Sequence, residues 1–137
     1  LVGLTQERQK DFPKNITGIN RTDSFEELAA LYALADVFVN PTYVDNFPTT
    51  NLESLAAGTP VVTYRTGGCP EALDVNTGVV VDKGDKEGLL KAIFEIIEKG
   101  KNFYSEYCRE RAINNFDKRS NNEAYYIIYQ NLLGNDV

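Results

Sequence analysis

Residues 35–71, ADVFVNPTYVDNFPTTNLESLAAGTPVVTYRTGGCPE, decide the fold. Val37-Phe38-Val39 is an unalternated apolar run, the pattern of a short strand covered on both faces. Asn40-Pro41 ends it, because proline cannot donate to a sheet ladder. Asp45, Asn46, Phe47 and Pro48 follow as a loop without periodicity. Thr50 is placed to cap a short helix with Leu52, Leu55 and Ala56 as its buried face, and Gly58 stops it. Thr59-Pro60 launches a second strand, Val61 to Tyr64, and Gly67-Gly68 makes a turn. Strand, loop, helix and strand in this order gather Asp45, Glu53 and free amides where a parallel strand ends. Open α/β sheets bind ligands there.

Toward the N-terminus, Leu1 to Leu4 and Ile16 to Ile19 read as short strands, with a short helix within Thr5 to Phe12 before Pro13. Gly18 marks a bulge or a close backbone approach. Ser24-Phe25-Glu26-Glu27 has capping-box spacing and opens a helix whose apolar face is Leu28, Leu31, Tyr32 and Ala35. Toward the C-terminus, a helical turn from Pro70 to Leu73 leads to the strand Val79-Val80-Val81. Asp85 caps a helix with Leu89, Leu90, Ile93, Phe94, Ile96 and Ile97 directed inward, and Gly100 ends it. Phe103, Tyr104, Tyr107, Cys108, Arg111, Ala112 and Phe116 form one face of a further helix. Tyr125, Ile128, Tyr129 and Leu132 form the face of another, with Tyr125, Tyr126 and Tyr129 read as packing residues rather than a base-stacking platform. Strands alternating with helices predict an α/β, Rossmann-like doubly wound parallel sheet with right-handed crossovers.

Composition narrows the function classes. A chain of 137 residues is one domain at most, and its 42% hydrophobic and 25% charged residues are those of an ordinary globular protein. A net charge of −6 speaks against nucleic-acid binding, which needs clustered Lys and Arg. Histidine is absent, which removes Ser-His-Asp and Cys-His catalysis and the commonest zinc ligand. Cys69 and Cys108 stand far apart without CxxC pairing and read as reduced thiols of a cytoplasmic protein. The sequons at Asn15 and Asn20 read as chance matches without a secretion signal. No apolar run reaches the length of a membrane span. Leu1 opens the chain inside a strand pattern, and methionine is absent, so a piece of a longer protein is expected.

Asp45 through Glu53, then Gly58-Thr59-Pro60-Val61-Val62, then Gly67-Gly68-Cys69-Pro70-Glu71, resemble the donor-binding core of GT-B retaining glycosyltransferases of family 4, group 1. The upstream Leu31 to Pro41 fits the same pattern, and the likeness covers roughly residues 1–100. Those proteins usually carry Glu as the first acid; Asp45 reaches shorter by about 1.5 Å, one C–C bond. The resemblance implies the C-terminal half of a GT-B fold lacking its first strand. Residues 1–100 are then a partial donor domain, and 101–137 are helices packing on it. The missing strand, the loop with a basic pair for the diphosphate, and the acceptor-binding half would lie ahead of Leu1. A gap or rearranged pairing in the sheet follows, with self-association as one outcome.

The resemblance also implies a donor site made of Asp45, Asn46, Phe47, Pro48, Thr49, Thr50, Glu53, Gly67 and Gly68, with Asp45 as the catalytic candidate. The substrate would be a nucleotide-diphosphate sugar, with no cofactor and no metal. The acceptor, a glycan, lipid or small molecule, would be held by the missing domain, which is also where association with a membrane surface would arise. Glu53 would take the ribose diol, since a carboxylate accepts two hydroxyl hydrogen bonds at once. Asp45 would hold sugar hydroxyls, with the N–H groups of Phe47 and Thr49 beside it. The helix N-terminus near Thr50 suits a phosphate. Gly67-Gly68 would admit close ligand approach beside Glu71, and Arg21 and Arg65, at strand ends, are further phosphate or base candidates. The bland readings stay open: Thr50 and Glu53 as a capping box, Asp45 as a turn former, and Gly67-Gly68 as a plain turn. The alternatives in function are a non-catalytic nucleotide-binding module and a sugar-nucleotide epimerase on the same scaffold. A phosphoacceptor domain is disfavoured because no acidic pair ends an early strand.

Overall fold

Three parallel strands, β1 (Phe38–Asn40), β2 (Val61–Tyr64) and β3 (Gly78–Val81), lie in that order in a computed structural model describing residues 1–3 and 5–134. The register sets Phe38 beside Val61 and Asn40 beside Thr63, and Val62 beside Val79. The middle strand β2 is buried at every residue, while β1 is only half-buried. A parallel strand with neighbours on both edges and helices on both faces must be apolar throughout, which is why Val-Val-Thr-Tyr shows no alternation. The first strand begins at Phe38, one residue later than expected, and runs to Asn40 before Pro41 ends it.

Phe38 and Asn40 point to one face of β1. On that face Phe38 meets Tyr32 edge-on at 5.2 Å, and Asn40 donates to Asn51 at 3.0 Å. Helices α2 (Phe25–Leu34) and α3 (Thr49–Ala56) therefore cover it. On the opposite face, Val81 approaches α4 (Lys86–Lys99) at Gly88. The caps of α2 and α4 are those expected: Ser24 Oγ accepts from the Glu27 N–H at 3.1 Å, and Asp85 from that of Gly88 at 2.9 Å.

Helix α4 buries Ala92 and Ile96 and half-buries Leu89 and Ile93, but Leu90, Phe94 and Ile97 are exposed, contrary to expectation. Six apolar positions span a wider arc of a helix than one sheet face covers, so the outer three are left over. α5 (Lys101–Phe116) seats Tyr104, Cys108 and Ala112 in the core alongside Leu55 and Ile96. α6 (Lys118–Gly134) buries no side chain, and Tyr125, Tyr126 and Tyr129 are at least 60% exposed rather than packed.

The N-terminal expectation shrinks. α1 is a single turn, Gln6–Gln9, and the two flanking strands reduce to one parallel bridge between Val2 and Ile19. Leu4 lies outside the described residues. Among the described residues no strand pairing joins this bridge to β1, so the paired backbone falls into two separate pieces.

Candidate functional site

Residues 41–48, 65–68 and 82–85 follow the C-terminal ends of β1, β2 and β3 and touch one another. Tyr43 meets Tyr64 edge-on at 5.6 Å, and Lys83 Nζ sits 5.5 Å from the Tyr43 ring. Arg65 pairs with Asp82 at 3.3 Å, an exposed contact of small energetic weight. The tightest junction is between the acid loop and the glycine turn. The Gly68 N–H donates to the Asn46 carbonyl at 2.6 Å. Gly67 has φ +48°, and a Cβ there would stand 1.8 Å from the Asp45 carbonyl oxygen. A Cβ on Gly68 would stand 2.5 Å from the Asn46 oxygen. The backbone that requires these two glycines is thus that of Asp45 and Asn46.

Helix α3 starts at Thr49, and its N-cap is Pro48, with φ −71° and ψ 114° and no side-chain cap bond. Thr50 is therefore not the cap. An N-cap residue must be extended, and the chain is already helical at Thr50, so the Thr50–Glu53 capping box does not form. Glu53 is held by something else: its Oε2 accepts a hydrogen bond from the Tyr32 hydroxyl at 3.1 Å, across 21 residues. Burial pushes the Tyr32 hydroxyl far above its ordinary pKa, and the charge and hydrogen bond of Glu53 add to this. The tyrosine thus remains a donor at every physiological pH. Thr49 and Thr50 are exposed in the first turn, where a helix supplies no acceptor for its own amides.

The buried side of α3 is more polar than expected. Leu55, Ser54 and Asn51 are fully buried, Leu52 is half-buried and Ala56 is exposed. Ser54 donates to the Thr59 carbonyl at 3.0 Å, which fastens the helix end to the start of β2. Asn51 accepts from Asn40, but its Nδ2 is buried with no partner. An unpartnered buried donor is costly, and α3 carries that cost at Asn51 in its first turn. Sequence reasoning missed Tyr32, Asn40 and Asn51 as polar parts of this region. Tyr32 was hidden in a helical apolar stripe, and Asn40 in the strand stop before Pro41.

Of the expected residues, Asp45, Asn46 and Phe47 are brought onto Gly67 and Gly68. Pro48 is buried beneath them, while Asn46, Thr49, Thr50 and Glu53 are exposed. Two hollows of about 490 and 280 Å³ lie elsewhere, at Arg21–Leu28 and between Ala56 and Lys118, and neither is lined by Asp45 or Glu53. Asp45 is half-buried in the loop after β1 and Glu53 is exposed in the second turn of α3, and the stretch 45–53 that joins them is here called the shelf. Among the described residues no three His, Cys, Asp or Glu side chains cluster as metal ligands, and no helix is long and apolar enough to cross a membrane. Cys69 and Cys108 are free and fully buried; burial, with Asp74 nearby, pushes the Cys108 thiol up to about 12.

The family model described as Glycosyl transferases group 1 matches residues 1–99, a span that holds every shelf residue. The chain belongs to the group 1 glycosyl transferases. It is 34% identical over 110 residues to the D-inositol 3-phosphate glycosyltransferase of Corynebacterium jeikeium, covering 78% of this chain and 26% of that protein. It is 40% identical over 80 residues to the GDP-mannose-dependent alpha-(1-6)-phosphatidylinositol monomannoside mannosyltransferase of Mycolicibacterium smegmatis, covering 53% of this chain and 21% of that one. Among solved structures, a sucrose-phosphate synthase from Thermosynechococcus elongatus matches with a TM-score of 0.81 at 26% identity, over 94% of this chain and 33% of that chain. This group 1 chain therefore spans about a quarter of the first relative and a third of the solved protein. The expected α/β fold, a parallel sheet followed by C-terminal helices, is the part of the GT-B architecture it matches.

Proposed function

We propose that the chain is the donor-binding part of a glycosyltransferase that moves a sugar from a nucleotide-diphosphate sugar to an acceptor, with retention. The observation that supports this reading is the shelf itself: Asp45 after β1, then the first turn of α3 with no side-chain cap bond, then Glu53 held by Tyr32. Glu53 offers one carboxylate oxygen to Tyr32 and keeps lone pairs for a ribose diol. The amides of Thr49 and Thr50 and the helix dipole favour a phosphate. Asp45 accepts hydroxyls of the sugar to be transferred.

During transfer the diphosphate leaves with its charge, and donors already oriented toward it lower the barrier. The α3 terminus supplies part of that stabilisation, and basic residues outside this chain supply the rest. No metal is invoked, and Asp45 orients the sugar without attacking it. The acceptor, and the second wall of the cleft, belong to the remainder of the protein. On its own this chain binds donor or nucleotide at best and turns nothing over. One relative is a GDP-mannose-dependent mannosyltransferase, which makes guanosine diphosphate one of the nucleotides to try.

Calorimetric titration of the whole protein with UDP, GDP and ADP tests the reading, with Glu53→Gln alongside. Saturable heat with one nucleotide, weakened in the variant, is expected. Equal heats from both proteins remove Glu53 from the site, and no heat from any nucleotide removes the proposal.

A further inference from the structure

Arg111 is the only charged residue on the inward face of α5 that the sequence pattern singled out, and it does more than fill space. Its side chain is 21% exposed. Its Nε donates to the Ala72 carbonyl at 2.7 Å, and one terminal nitrogen donates to Asp74 Oδ2 at 3.0 Å. The other terminal nitrogen donates to the carbonyls of Glu71 at 2.9 Å and Leu73 at 3.2 Å. These carbonyls end the 3-10 turn Cys69–Ala72, whose N-cap is Gly68. The guanidinium also lies 5.8 Å from the Phe116 ring, and Phe116 packs at 6.0 Å against Phe47. One helix thus holds the segment just after the glycine turn through Arg111 and the acid loop through Phe116.

We propose that Arg111, with Phe116, is a positioning residue for the donor site. It fixes the Gly67-Gly68 turn and the Asp45–Pro48 loop against each other as one wall. This rests on the reading of the shelf as a donor site. A rigid fork with five donors can span three carbonyls and a carboxylate, whereas an ammonium is a single point charge that cannot. If this contact loosens, the Gly68 N–H bond to Asn46 is the next to open, and the amides and carboxylate facing the ligand lose their alignment. Misplacement of site groups from a distance is a known route to lost function.

The test is amide hydrogen exchange and nucleotide titration on the whole protein, comparing wild type, Arg111→Lys and Phe116→Leu. Phe116→Leu leaves all four guanidinium bonds in place and guards against a variant that fails to fold. We expect exchange at Gly68 to quicken in both variants while Val61 to Tyr64 keep their protection. Affinity for whichever of UDP, GDP or ADP binds wild type should fall about tenfold, roughly 1.4 kcal/mol. Unchanged exchange at Gly68, or a rise spread evenly through β2, overturns the coupling. Faster exchange at Gly68 with unchanged affinity overturns the positioning role. Wild type that binds none of the three overturns the reading of the shelf, and is recognised as such because the exchange result needs no ligand.

Discussion

Asp45 and Glu53 stand eight positions apart in one motif, and the fold secures them by opposite means. Asp45 is fixed through its backbone: its carbonyl is pressed against Gly67, in a loop that Gly68 ties down through the neighbouring Asn46. Glu53 is fixed through its side chain, by a tyrosine on another helix, while its backbone is ordinary helix. The first arrangement depends on the absence of side chains opposite; the second depends on one particular hydroxyl. Motif spacing places one carboxylate in the loop after β1 and the other on α3, but separate tertiary contacts decide how each is held.

The difference breaks most visibly at Gly67. Gly67→Ala puts a methyl group on the Asp45 carbonyl at a left-handed backbone position, and should cost more than about 2 kcal/mol in urea unfolding. A variant as stable as wild type would show that the loop and turn are not in contact. Next in size is a split between ligands. Glu53→Gln should weaken a bare nucleoside diphosphate by about tenfold or more, since a charge-assisted bond becomes a neutral one. Asp45→Asn should leave the bare nucleotide unaffected and weaken only the nucleotide sugar. Equal effects of both variants on both ligands would erase the division of labour.

Tyr32→Phe sharpens the comparison at lower cost. It removes one hydrogen bond of about 1 kcal/mol, and should release Glu53 without disturbing Asp45. Nucleotide affinity should then fall less than in Glu53→Gln, and exchange at Gly68 should stay as in wild type. The last effect is alkaline. Tyr32 and Cys108 are both neutral acids whose folded pKa values are raised by burial, so the unfolded chain ionises first. Their contribution is complete below the unfolded values of about 8.5 for Cys and 10 for Tyr. It is lost as pH rises toward the folded values, about 12 for Cys108. Thermal melts from pH 8 to 11 should decline, less steeply in Tyr32→Phe; a flat profile would contradict the burial of these groups.

The three strands of the sheet, the α4 and α2 caps and the glycine turn were legible because each is written in local residue types: apolar runs, Asp85, Ser24 and paired glycines. The start of α3 was not, because the extended ψ of Pro48 set the helix start at Thr49, and Thr50 looked equally fit to cap. The tether on Glu53 joins residues 21 apart, and no local pattern announces it. The outer stripe of α4 and all of α6 carry apolar residues that the described chain leaves uncovered, so periodicity alone overstated burial there. Arg111 was visible as a charge on an apolar face, but the carbonyls it reaches lie about 40 residues away in sequence.

The most direct measurement is the nucleotide-induced shift of backbone amide resonances, made with whichever of UDP, GDP and ADP gives heat. A ligand seated on the shelf should move Asn46, Phe47, Thr49, Thr50, Gly67 and Gly68 together, and the movement should need about tenfold more ligand in Glu53→Gln. Shifts confined to the hollow at Arg21–Leu28, with residues 45–53 unmoved, would contradict the assignment of the donor site.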